Sequence, residues 1–216
     1  MIVRILVAVT AGVFVVALAG WTTGAEGNEP PDADTIGAGP PTPQKCWAPP
    51  RVGIEIDLLL DLPAEINRTK PEQITFRLFN KGKGPVTLVM PGDGSDAGWR
   101  TPVVGWSFLP VGSRKSHPTH PANGVLGRCG NINTLEPHEI FVLRPGDGKD
   151  LKQWIGFSQL PPAGTYRVVF YYSNLPRMKW SGLPSIEGHD PAAMVRVQES
   201  TPVSLVSNEV VVEISD

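Results

Sequence analysis

Residues 52–62, VGIEIDLLLDL, alternate between apolar and polar side chains at a period of two. Apolar residues stand at every even position from Val52 to Leu62, whereas the acidic residues Glu55, Asp57 and Asp61 stand at odd positions. Because successive side chains of a β-strand point to opposite faces, this pattern predicts a strand with one face in a core. Few chain segments show the period of a helix, so the sequence indicates an all-β protein.

The same pattern recurs at intervals along the chain, with turn residues between the repeats. The glycine-bearing stretch 80–84 predicts a hairpin between the second and third strands. About eight strands in all predict a β-sandwich. The further predicted strands are 73–80, 85–90, 103–109, 139–144, 151–157, 165–172 and 208–215.

One segment departs from the strand pattern. In HDPAAMVRVQ (189–198), Asp190 can cap a helix, Pro191 suits the first helical position and Ala192 continues it. We therefore expect a short helix, of one or two turns, near 190–197.

The N-terminal residues have the pattern of a secretory signal. Arg4 precedes an apolar run over 5–18, and Ala17-Leu18-Ala19 fits a small-x-small cleavage site. The alternative, an uncleaved anchor, needs about 20 mainly apolar residues, and this run is shorter. We predict a signal peptide over 1–19, no membrane span after its cleavage, and a periplasmic, cell-surface or secreted protein.

Residues 20–47 are rich in proline and glycine and lack apolar periodicity, which predicts a flexible linker before a single domain over 48–216. The two cysteines of the chain are Cys46 and Cys129. In an oxidising compartment they predict a disulfide, which would close a loop of about 83 residues and contribute about 4 kcal/mol. Two free thiols are the alternative.

Two blocks of residues resemble a known family. Asn80 is followed by Pro85-Val86-x-Leu88, and Leu143-x-Pro145-Gly146 is followed by Trp154 and by Pro162-Ala-Gly164-Thr165-Tyr166. This order, over roughly 72–173, is similar to the BsuPI-type bacterial immunoglobulin-like domain, which is named for an intracellular proteinase inhibitor. The resemblance implies an immunoglobulin-like sandwich, a tyrosine corner at Tyr166, and proteinase inhibition as one alternative function. The chain departs from the family in its signal, its cysteine pair and its 110–137 insertion.

The stretch 89–106, VMPGDGSDAGWRTPVVGW, is a candidate binding loop. Its glycines and acidic residues suit a wide connection with local turn bonds. Trp99 beside Arg100 is a pair enriched at binding hot spots. We predict a structured loop, and a ligand-binding surface of Asp93, Asp96, Trp99 and Arg100 as the functional hypothesis. A Ca²⁺ site is disfavoured, because the spacing does not supply six to eight oxygens.

A second candidate surface lies in one of two long connections, 110–137 and 173–202. Trp180 stands between Arg177 and Lys179 on one side and apolar residues on the other. Apolar residues in such a connection either fold back as a lid or present a recognition strip. Both connections could be functional, or could cover a sheet edge.

The histidines offer a metal-binding alternative. His117, His120 and His138 could supply imidazole ligands, but a zinc site needs three or four ligands with fixed geometry. The prolines beside His117 and His120 favour an exposed polar loop instead. We predict no cofactor.

Composition and absent motifs exclude several classes of function. The net charge is −2 with no basic run, which argues against nucleic acid and anionic lipid as partners. The chain lacks the G-x-S-x-G, H-E-x-x-H and phosphate-loop motifs, so we predict no enzymatic activity. The function expected is a binding or accessory module for an unknown protein or glycan of the cell envelope. A secreted proteinase inhibitor and a metal-binding protein are the alternatives.

Overall fold

The computed structural model describes residues 54–70, 72–119, 132–155, 160–181 and 186–216, and the chain is mostly β, with 43% strand and 9% helix. These residues form ten strands, one α-helix and two short 3-10 helices. The strands are β1 (Ile56–Asp61), β2 (Glu65–Asn67), β3 (Glu72–Asn80), β4 (Val86–Val89), β5 (Val103–Pro110), β6 (Ile140–Leu143), β7 (Gly148–Ile155), β8 (Gly164–Asn174), β9 (Val203–Val206) and β10 (Val210–Ser215). The α-helix is α1 (Pro191–Gln198), and the 3-10 helices are Pro137–Glu139 and Ile186–Gly188.

The strands form two larger sheets and one pair. One sheet has the order β1-β3-β7, and the other has the order β2-β10-β8-β5 with β9 also paired to β8. β4 pairs with β6. The β2–β10 pair is parallel, whereas the other pairs are antiparallel. This arrangement confirms the predicted all-β sandwich.

The core lies between the two larger sheets. The ring centroid of Phe76 in β3 is 4.7 Å from that of Phe170 in β8, and Trp106 in β5 is 4.5 Å from Phe170. In β1 the predicted alternation is confirmed, since Leu58 and Leu60 are buried and Leu59 is exposed. Opposite faces of each strand therefore have the surroundings that the period of two predicts.

The hairpin predicted across residues 80–84 is wrong. β3 pairs with β1 and β7, whereas β4 pairs with β6. The reason is Asn80, which is fully buried. Its Nδ2 donates to the carbonyl oxygens of Gly84 at 2.9 Å and Leu143 at 3.0 Å, and its Oδ1 accepts from Gly82 N. These bonds hold a connection that passes from one sheet to another strand pair.

The predicted helix is confirmed. α1 begins at Pro191, and the Asp190 Oδ1 accepts from the Ala192 backbone N–H at 2.8 Å. The tyrosine of the predicted corner donates its hydroxyl to the Pro162 carbonyl at 2.9 Å. Two of the ten strands, β2 and β9, were not predicted.

The first described part of the 110–137 connection lies on the outer face of β8. Arg167 donates to the carbonyls of Ser113 and Lys115, and the Tyr171 hydroxyl donates to the Pro118 carbonyl. This segment therefore lies over a sheet face, whereas the covering alternative predicted that the connection covers a sheet edge.

The predicted signal peptide, the linker, and Cys46 and Cys129 lie outside the described residues, so these remain predictions. Within the described ranges, no helix is long and apolar enough to cross a membrane.

Candidate functional site

The 90–102 loop is held by its own hydrogen bonds. Gly92 N donates to the Ser95 hydroxyl at 3.0 Å, Ser95 N donates to the Gly92 carbonyl, and Trp99 N donates to the Gly94 carbonyl at 2.9 Å. Gly94 has a φ of 81°, and a Cβ there would lie 2.7 Å from a methyl carbon of Ile132. The loop is therefore structured, as its turn residues predicted.

Arg100 is buried inside this loop. Its side chain is 1% exposed, and its Nη2 lies 3.2 Å from Oε1 of Glu139. Burial lowers the pKa of the guanidinium, while the charges of Glu139 and Asp93 oppose that shift. A side chain in this position cannot reach a ligand on the surface, so Arg100 acts on the loop from within.

Asp93 and Asp96 also lie within the loop rather than on an open platform. Asp93 is half-buried and near enough to stabilise the charge of Arg100, and Asp96 is buried. Both have interactions with other groups. Of the predicted loop residues, Trp99 and Asp93 keep the most solvent exposure.

The structure brings the two candidate surfaces together. The Arg100 Cζ lies 5.1 Å from the centre of the Trp180 ring, and Ser181 N donates to the Trp99 carbonyl at 2.8 Å. Trp180 is 6% exposed, which favours the lid interpretation of this segment over a strip with an open tryptophan. Trp99 packs against a second apolar cluster, formed by Val89, Ile132, Leu135, Ile140, Trp180, Ala193, Met194 and Val197.

His189 is a member of this site that sequence reasoning missed. It is 3% exposed, its Nδ1 accepts from the Leu135 backbone N–H at 3.0 Å, and its ring meets Trp180 edge-on with 5.0 Å between centroids. Burial lowers the pKa of His189, the charge of Arg100 lowers it further, and Glu139 opposes both. Leu135, which donates the hydrogen bond to His189, is 54 residues away in sequence. No local sequence pattern could therefore have indicated this contact.

A groove lies beside this cluster, between residues 176–180 and helix α1. It encloses about 440 Å³. Met178 N donates to the Leu175 carbonyl at 2.9 Å, which closes the turn that forms one wall. The residues that line it are Pro176, Arg177, Met178, Lys179, Trp180, Met194, Gln198 and Glu199.

Two cations of the groove are open to solvent. Arg177 and Lys179 are both exposed. In the part of the chain that the structure describes, neither side chain has an ion pair or hydrogen bond. Met178, and Met194 of α1, line the same groove. The arrangement can therefore contact an acidic group and an apolar group together.

The predicted metal ligands are not assembled into a site within the described ranges. The two ring nitrogens of His117 contact the Ser107 hydroxyl at 2.8 Å and Glu209 Oε2 at 3.2 Å. His138 is exposed on the 3-10 helix Pro137–Glu139, and His120 lies outside the described residues. No group of three metal-binding side chains occurs among the described residues. The histidine-based metal alternative stays a prediction.

No protein-family model matches this chain, and no curated protein matches it significantly. The resemblance to the BsuPI-type domain, and the proteinase inhibition that it implies, therefore stay predictions based on the quoted motifs.

Proposed function

We propose that this chain is an exported, non-enzymatic binding module and that the groove between 176–180 and α1 is its binding face. The observation that carries the proposal is a groove of about 440 Å³ lined by two methionines and by two exposed cations that form no ion pair within the described chain. Cavities of roughly 300–1,000 Å³ are typical of binding sites. Methionine is flexible and polarizable, so it adapts to varied apolar surfaces.

The 176–180 wall of the groove is held in place by contacts with buried residues, which favours a preformed site. Trp180 lies on the buried guanidinium of Arg100, and the backbone of Ser181 is bonded to that of Trp99. The Arg196 guanidinium donates to the carbonyls of Pro137 and Ile140 and so joins α1 to β6. Because less has to be ordered when a ligand arrives, more of the contact energy goes into affinity.

The environment of Trp180 favours a protein partner over a glycan. Sugars stack on an open aromatic face, but one face of this ring is occupied by Arg100 and the ring meets His189 edge-on. Only 6% of the residue is exposed. The groove combines the exposed cations Arg177 and Lys179 with methionine side chains, alongside the exposed Gln198 and Glu199. Cations suit the carboxylates of a polypeptide, and thioethers suit its apolar side chains.

Site-specific cross-linking tests the binding function. A photoreactive phenylalanine derivative replaces Gln198, which lines the groove, and in a matched control it replaces Val142, which is exposed on β6. Each protein is irradiated with the envelope fraction and the culture medium of the host. We expect a discrete adduct from position 198 and none from position 142. Equal labelling from both positions, or none from either, refutes the groove as the binding face.

Export is the other half of the proposal and has its own test. N-terminal sequencing of the protein recovered from the host should give Gly20 as the first residue, as the small-x-small site predicts. A protein recovered from the cytosol with Met1 or Ile2 at its start contradicts export. The same sample, tested against secreted proteases and by elemental analysis, decides the two alternative functions.

A further inference from the structure

We infer that the groove takes an acidic polypeptide segment in which a carboxylate side chain is a near neighbour of an apolar one. The inference rests on the proposed function, and it adds the chemistry of the partner. Three observations carry it: the charge of the groove, the composition of its floor, and its size.

The charge of the groove is complementary to a carboxylate. Arg177 and Lys179 are exposed and line it, whereas Glu199 is the acidic residue in its described lining. A guanidinium presents a planar fork that matches a carboxylate, and an ammonium is a compact charge that can contact a second oxygen. Neither cation forms an ion pair or a hydrogen bond within the described chain. Both can therefore form ion pairs with a partner.

Part of the groove lining is apolar, and this part is called its floor here: it comprises Met178, Met194 and Trp180. Met194 is 7% exposed, Met178 is half-buried and Trp180 is 6% exposed. A leucine, methionine or phenylalanine of the partner can bury apolar surface here, and the flexible thioethers can adjust to its shape. An anion that lacks such a side chain leaves this floor uncovered.

The size of the groove favours a short peptide segment over an extended polyanion as the ligand. A volume of about 440 Å³ holds a few side chains. Polyanions such as nucleic acids are held by many cations along a track, and this groove offers two. A short peptide stretch with one or two acidic residues satisfies both the charge and the apolar floor.

Three fluorescein-labelled octapeptides test the inference with the full mature chain. One alternates glutamate with leucine, one glutamine with leucine, and one lysine with leucine, and binding is followed by fluorescence anisotropy. We expect the glutamate peptide to bind at least about ten-fold more tightly than the glutamine peptide, since hydrogen bonds to charged groups are the stronger ones. Raising the salt from about 50 mM to about 500 mM should weaken the glutamate peptide far more than the glutamine peptide.

Two double variants locate the effect. Arg177→Gln with Lys179→Gln should remove the preference for glutamate over glutamine. Arg144→Gln with Lys152→Gln alters two exposed cations of the β6–β7 region and should leave the preference unchanged. Circular dichroism and the melting temperature establish that each variant folds.

The outcomes separate this inference from the proposed function. Equal binding of the glutamate and glutamine peptides overturns the acidic preference, as does a preference that survives Arg177→Gln with Lys179→Gln. If none of the peptides binds, the inference is wrong even where position 198 cross-links to a partner. In that case the proposed function stands with a partner of other chemistry. The inference is supported when the preference is present, salt-sensitive and lost only in the groove variant.

Discussion

The Arg100 guanidinium carbon lies 5.1 Å from the centre of the Trp180 ring, while Nη2 of the same side chain lies 3.2 Å from Oε1 of Glu139. One buried cation thus joins the 90–102 loop, the 3-10 helix before β6 and the segment that walls the groove. It contacts Trp180 from the interior rather than from the surface. Of the Trp99–Arg100 pair that resembles a hot spot in sequence, the arginine is buried and the tryptophan is half-buried.

Removing this cation should destabilise the protein strongly. Arg100→Ala removes the cationic partner of Glu139 Oε1, while Oε2 still accepts from the Glu136 backbone N–H. We expect the free energy of unfolding to fall by about 3 kcal/mol, which is at the lower end for a broken buried pair. The double variant Arg100→Met with Glu139→Gln should lose less than the sum of its single variants. Urea unfolding measures the wild type, Arg100→Ala, the two single variants of the cycle and the double variant. Additive losses mean that the two side chains are not energetically coupled.

Gly92 should tolerate no side chain. A Cβ there would lie 2.8 Å from Nη1 and 2.9 Å from Cζ of Arg100, whose surroundings leave it no room to move. We expect Gly92→Ala to cost about 1–3 kcal/mol, as overpacking in a filled interior does. Gly84→Ala is the matched control, because nothing lies within 4 Å of a Cβ at that position. Equal melting temperatures for the two variants would contradict the close packing around Arg100.

His189 should make stability depend on pH. Its pKa in the folded protein is lowered from the ordinary value of 6.5, so below that pH the unfolded chain binds more protons than the folded one. Its contribution is therefore full above about pH 6.5 and is lost as the pH falls toward the lowered pKa, with a slope of at most about 1.4 kcal/mol per pH unit. Arg100 and Glu139 are the charged groups that act on it.

His189→Asn keeps an acceptor for the Leu135 backbone N–H but does not titrate. We expect its unfolding free energy to vary less than that of the wild type between about pH 5 and about pH 8. The exposed His138→Asn should follow the wild type. Parallel pH profiles for all three proteins would show that His189 makes no contribution in this range.

Asn80 should be a costly polar residue to truncate. Asn80→Ala removes the donor to the carbonyls of Gly84 and Leu143, and it leaves Gly82 N with the Glu55 carbonyl as its acceptor. We expect a loss of about 2–3 kcal/mol in urea unfolding, since unsatisfied buried groups carry a desolvation cost. Asn133→Ala, at an exposed position, should stay within about 0.5 kcal/mol of the wild type.

Local features were predictable from sequence, and long-range ones were not. The alternation in β1 and the cap of α1 depend on residues within a few positions, so pattern and capping rules sufficed. Glu139 is 39 residues from Arg100, and nothing in the loop sequence distinguishes a buried arginine from a surface one. The hairpin at 80–84 was wrong for the same reason, because the bond from Asn80 to Leu143 spans 63 residues. In the sequence, the groove was indicated only by the cations and apolar residues around Trp180.

The parallel pair of β2 and β10 has a bearing on when this protein can fold. Asn208, just before β10, also exchanges two hydrogen bonds with the backbone of Leu60, 148 residues earlier. The β2–β10 pairing and the Asn208–Leu60 hydrogen bonds each join segments from opposite ends of the described chain. Contacts between residues so far apart in sequence form slowly. During synthesis, the second sheet cannot close until the ribosome has delivered residues 210–215. Until then, one edge of β8 lacks the strand that pairs with it in the folded protein, so an unpaired strand edge persists while most of the chain has already been made.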